Sequence, residues 1–170
     1  MPPTTPPEVW LRGPIAGVPH ELMPVVHALL QIREELDASV PSVTREQLWA
    51  RPGGAASLGF HLRHLARSLD RLLTYARGEP LNDRQRAALE SEEAPPVPGE
   101  SPAALLRQAQ DAIASAIAQV RATPVDTLGD DRRVGRSALP STVRGLLFHA
   151  AEHAQRHAGQ IATTIKWVSG

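Results

Sequence analysis

Six apolar residues between Ser57 and Gly78, namely Leu58, Leu62, Leu65, Leu69, Leu72 and Ala76, follow one another in alternating steps of four and three. That spacing places them on one face of an α-helix and leaves the opposite face polar, so the segment must bury a leucine stripe against other elements. Ser57 stands where a helix N-cap is wanted, and Gly78 stops the run. Three other stretches repeat the pattern. From about His20 to Val40, Leu22, Val25, Val26, Leu29, Ile32 and Leu36 recur three or four apart before Pro41. Ser101-Pro102 opens a run through Leu105, Leu106, Ala109, Ile113, Ala116, Ile117 and Val120 that Thr123-Pro124 closes. Pro140 with Ser141 or Thr142 starts a last helix reaching about Val168.

The residues available for a core agree with helices. Hydrophobic residues make up 42% of the 170-residue chain but aromatics only 4%, so Leu, Ile, Val and Ala must fill the interior. One domain is the default at this length. An all-α, four-helix bundle over residues 18–170 is expected, preceded by a proline-rich tail over residues 1–17. Prolines 2, 3, 6, 7, 14 and 19 make that start extended or turned, although Trp10, Leu11 and Ile15 could dock against the bundle. Thr44 and Gln47 have the spacing of a capping box before Leu48 and Trp49. Residues 79–100, rich in proline and carrying Glu90, Glu92 and Glu93, read as a long crossover in which LNDRQRAALE could form a short helix. Residues around Gly129, Asp130, Asp131 and Gly135 read as a polar loop.

Charge and composition remove whole classes of function. Lys plus Arg equals Asp plus Glu at 18 each, which argues against a phosphate-gathering field and against nucleic-acid binding. With no cysteine, imidazole and carboxylate remain as the main metal ligands. No stretch is long and apolar enough to cross a bilayer, and a soluble cytoplasmic protein is the simplest reading.

Seven histidines are the chemistry-bearing residues. On the last helix His157 lies roughly 50° or less from the centre of the apolar stripe, with His153 at its edge. Residues four apart stand one above the other with about 5–6 Å between Cβ atoms, so this pair can converge on one ion. His149 drifts about 40° further out than His153 and ranks as a spectator. Glu152 points about 100° away from His153, whereas Gln160 lies within about 20° of it and could orient a ligand. Two imidazoles make a weak site, and the helix after Ser57 offers His61 and His64 as a third ligand, His61 lying slightly nearer the leucine stripe. A lone histidine in such a place is more often a core residue satisfied by a carbonyl. Burying several without a metal or partner costs a few kcal/mol.

Two stretches carry a family resemblance. Ser57-Leu-Gly-Phe-His-Leu-Arg-His64-Leu-Ala66 and His153-Ala-Gln-Arg-His157-Ala-Gly-Gln160 resemble the DinB/YfiT-like superfamily of bacterial metal-binding four-helix bundles. The resemblance implies a long crossover between the second and third long helices and places three metal ligands on His64, His153 and His157. It implies one divalent ion, with zinc or nickel ranked first, and an enzyme of thiol S-transferase or hydrolase type acting on a small-molecule substrate. A low-molecular-weight thiol such as mycothiol or bacillithiol is the implied cosubstrate for the former. Ala158 stands where arginine is common, and Ala56 where a tryptophan often precedes the helix. The competing expectation is a non-catalytic homodimeric binding module with a structural or vestigial metal site, in which His27, Trp10 and Trp167 lie at the interface.

Overall fold

The structure is a computed structural model that describes residues 6–170. Four long helices form the bundle: α1 (Met23–Ser39), α3 (Leu58–Ala76), α5 (Pro102–Ala122) and α6 (Val143–Val168). Two short helices, α2 (Arg45–Trp49) and α4 (Asp83–Glu90), interrupt the connections. Helix α3 packs on both α6 and α5, and α1 closes the other side against the same two. No helix among the described residues is long and apolar enough to cross a membrane.

Side-chain caps set the helix starts. Ser57 accepts from Phe60 N, Ser101 from Ala104 N and Thr142 from Gly145 N, each satisfying a backbone donor that the first turn leaves free. Thr44 with Gln47 and Asn82 with Gln85 form full capping boxes at α2 and α4. The crossover therefore contains the short helix that its sequence allows.

The α3 stripe ends differently from its strict four-three alternation. Leu58, Leu62, Leu65 and Leu69 are buried, but Leu73 and not Leu72 continues the buried row. A step averaging 3.5 residues drifts about 20° per heptad on a 3.6-residue helix, so the core face passes to the neighbouring side chain after two heptads.

Residues 129–142 do not form a simple polar loop. Strands β1 (Asp131–Val134) and β2 (Leu139–Thr142) pair antiparallel, with Asp131 opposite Thr142 and Val134 opposite Leu139. The strands lack an apolar alternation because the face they turn to the bundle is only half-buried: Val134 packs on the core and Arg132 Nε donates to Ala76 O at 2.8 Å, while the other face is exposed. Pro140 and Ser141 thus belong to β2, and α6 starts after Thr142.

At the N-terminal end, prolines 2 and 3 lie outside the described residues. A 3-10 turn at Val9–Arg12 buries Val9 and lies on α1, where Val9 N donates to Gln31 Oε1 at 2.9 Å and Arg12 forms a bidentate pair with Glu34. Ile15 packs on the core, whereas Trp10 and Leu11 remain exposed. His27 Nε2 lies 3.0 Å from Gly13 O, so it holds this segment down.

Gly59 sets the start of α3. A Cβ at this position would overlap the Trp49 ring. Glycine in a helix ordinarily costs up to about 1 kcal/mol relative to alanine. Here the order inverts: Gly59→Ala is expected to destabilise the protein by about 1–3 kcal/mol through overpacking, read as a lower urea midpoint with an unchanged slope.

Candidate metal centre

Helices α3 and α6 run against each other and bring four of the seven histidines together. One ring nitrogen from each of His64, His153 and His157 lies within 4.8 Å of the other two. The His64 and His153 Nε2 atoms are 2.8 Å apart. A tetrahedral ion with bonds of about 2.0–2.1 Å needs ligand nitrogens about 3.3 Å apart. The cluster brackets that spacing, so small side-chain rotations suffice to close it around one ion. An all-imidazole donor set suits zinc, nickel, copper or iron.

The alternatives that periodicity left open separate in space. His61 is buried, but its Nδ1 lies 3.0 Å from His157 Nδ1, behind that ring and outside the three-nitrogen cluster. If His157 binds through Nε2, its Nδ1–H donates to His61 Nδ1, which fixes the ring plane. His149 remains outside, paired with Glu152 at 3.2 Å, and Glu152 also takes Arg156. Gln160 is exposed and, with Arg156, Gly159, Thr163 and His61, lines a cavity of about 520 Å³ whose lining includes none of the three candidate ligands. Ala158 packs in the core at 2% exposure, where an arginine head group would have no water. Trp49 returns from α2 onto Gly59 and so covers the α3 start from further back in the chain.

A carboxylate that composition disguised completes the centre. Glu92 looks like a solvated member of an acidic crossover, yet it is 6% exposed. Its Oε2 lies 2.8 Å from His64 Nδ1, and Arg71 donates to both carboxylate oxygens at 3.0 and 3.3 Å. Burial alone would push the Glu92 carboxyl up, but the bonds from His64 and Arg71 outweigh it and hold it below the usual range. The ionised carboxylate keeps the proton on His64 Nδ1 and leaves the Nε2 lone pair free, the carboxylate–histidine pairing that supports metal ligands. Arg63 anchors the same segment: Nε donates to Glu100 Oε1 at 2.7 Å and Nη1 to Ala94 O at 2.7 Å, with the guanidinium 4.8 Å above the Trp49 ring.

Burial also keeps the other imidazoles neutral. His61 and His153 are lowered from the ordinary value, first by desolvation and then by neighbouring His64. His157 is pushed down to about 3 by the same two causes, with His153 and His61 adding to them. Neutral imidazoles are the metal-binding form, so no proton has to leave at neutral pH. Stability follows the shift. In chelator, the unfolded chain takes up the His157 proton near 6.5 while the folded one resists until about 3. Stability present above pH 6.5 therefore falls steadily as pH drops toward 3. Urea midpoints measured across that interval should decline more steeply for the parent protein than for His157→Gln.

The match to known proteins covers this whole arrangement. The family model of the DinB superfamily matches residues 28–161. The chain belongs to the DinB superfamily. Two solved structures share its fold: a conserved protein from Enterococcus faecalis, with a TM-score of 0.61 at 20% identity over 88% of this chain and 97% of the other, and YfiT from Bacillus subtilis, with 0.65 at 15% over 92% and 93%. The latter is described as a probable metal-dependent hydrolase with an unusual four-helix bundle topology. No curated protein matches the chain significantly.

Proposed function

We propose that this DinB-superfamily chain is a metal-dependent enzyme of hydrolase or thiol S-transferase type that works at His64, His153 and His157. The observation that carries the reading is the buried Arg71–Glu92–His64 chain behind the three-nitrogen cluster. A solvated histidine cluster has no need of an oriented tautomer, and a ligand does. Three neutral ligands leave positions for water or substrate, the pattern of catalytic sites. A divalent ion held there supplies a Lewis acid that lowers the pKa of a water or thiol.

The chain's own residues define the rest. Glu92 is committed to Arg71 and His64, and Glu152 to Arg156 and His149, so neither carboxylate stands ready as a general base. Gln160 and Thr163 line a cavity that meets the cluster only through His61, the neighbour of His157. Among the described residues no further histidine reaches that cavity except His61.

The test is metal analysis of the purified protein, then a screen of the zinc- and nickel-loaded forms against activated esters and amides, and against electrophiles with mycothiol or bacillithiol. Turnover that chelator abolishes and zinc or nickel restores supports the reading. A stoichiometric metal whose removal lowers only the melting temperature, with no turnover in either screen, overturns it. A second reading has its own observation: Phe148 is 63% exposed beside the mostly apolar α1–α6 groove, and Trp10 is exposed near that groove's other end. Those surfaces suit a homodimer, which sedimentation would show as twice the monomer mass.

A further inference from the structure

On the far side of α3 from α6, a cleft of about 620 Å³ lies between α3, α4 and α5. Its volume falls in the range of small-molecule sites. It contains none of the candidate ligands, and four arginines line it: Arg67, Arg71 and Arg77 from the α3 side and Arg84 from α4. Two of these are already used. Arg71 is paired with Glu92, and Arg77 with Glu79.

Arg67 and Arg84 are not. Among the described residues, neither forms an ion pair. Arg67 is half-buried, and its one bond is from Nη1 to the neutral carbonyl of Ala88 at 2.9 Å. A guanidinium presents five donors in a planar fork and is poorly served by a single carbonyl. Its charge is disfavoured first by burial and then by Arg63, and Glu92 and Glu100 do not make up the difference. A half-buried cation without a counter-ion, lining a cleft whose other wall carries the exposed, unpaired Arg84, is an incomplete salt bridge. Asp70 is taken by Gln85 at 2.9 Å, and Asp111 is exposed on the α5 wall.

We propose that this cleft binds a small anion, a phosphate or carboxylate group held between Arg67 and Arg84. The bidentate geometry of arginine fits both groups, and Asp111 opposite them favours a ligand whose far end donates hydrogen bonds. The cleft holds none of the candidate ligands, and its one link to them is Arg71, which lines it and pairs with the Glu92 that contacts His64.

Calorimetric titration of the full chain with inorganic pyrophosphate and, separately, with citrate tests it. The expected result is saturable one-site binding of at least one probe, weakened about tenfold or more by Arg67→Gln and by Arg84→Gln, an energy of about 1.4 kcal/mol. Binding of pyrophosphate alone makes the ligand a phosphate, and of citrate alone a carboxylate; either supports the site. Arg33→Gln, an exposed arginine on α1, should leave affinity unchanged. Helical circular dichroism and metal content of each variant confirm folding, and Arg84→Gln carries the test if Arg67→Gln does not fold. The proposal is overturned if neither probe binds at millimolar concentration, or if Arg33→Gln weakens binding as much as the cleft variants do.

Discussion

Replacing His153 or His157 with alanine should strip the protein of bound metal, while His149→Ala should leave the stoichiometry intact. The three residues share one face region of α6 and differ by single turns, so charge, propensity and helix position are closely matched across the set. Only geometry separates them. His153 places its Nε2 2.8 Å from His64 Nε2, and His157 belongs to the same three-nitrogen cluster. His149 turns instead to Glu152. Removing one of three ligands leaves a two-imidazole site, and the loss should exceed the 10- to 100-fold that supporting residues typically contribute. Elemental analysis after dialysis against a weak chelator reads the difference directly. Full metal occupancy in His153→Ala and His157→Ala would show that the ion, if any, binds elsewhere.

The two α6 variants should also differ from each other. His157→Ala leaves His61 buried without its 3.0 Å partner, a cost of about 1–3 kcal/mol for the orphaned imidazole. His153 is only half-buried, and the neighbour it would leave, His64, is itself half-buried and keeps Glu92 at Nδ1. Metal-free His157→Ala should therefore be the less stable of the pair at pH 7.5.

How much of this could be read before the structure follows from which interactions are local. The stripes on α3 and α6, the caps at Ser57 and Ser101 and the i, i+4 pair of His153 and His157 are set by residues within a turn or two of each other, and helical period exposes them. The third ligand was another matter. His61 and His64 differ by one turn on an α3 whose two faces both pack, so angle alone preferred His61, and resemblance to a family chose His64. In the structure His61 is nearer the core and for that reason sits behind His157, where it can orient but not join the cluster. Glu92 was invisible because it stands in a segment of prolines, glycine and other glutamates, and its partner Arg71 is 21 residues away in a helix whose stripe accounts for leucines only. The β1–β2 hairpin escaped for the complementary reason: its residues bury little, so no alternation marks them.

Glu92 therefore carries the sharper test of the centre, because its two partners predict two separable losses. In Glu92→Ala, Arg71 is left in a largely buried place without a counter-charge, and breaking such a pair costs on the order of 3 kcal/mol. The same change frees His64 Nδ1, so the ring can rotate or exchange tautomers and metal affinity should fall about 10- to 100-fold. Glu92→Gln sharpens the second loss. Its amide offers one oxygen to two donors, Arg71 and His64 Nδ1–H, and the remaining NH₂ meets whichever donor is not served. The cationic guanidinium makes the stronger, charge-assisted bond to that oxygen. His64 is then driven toward accepting at Nδ1, which moves its proton to Nε2, the atom that faces His153. The double variant Glu92→Ala with Arg71→Met removes the stranded charge and should recover most of the stability, while metal affinity stays low if Glu92 orients His64. Recovery of both together would mean that Glu92 acts only through the packing of the crossover and has no direct hold on the ligand.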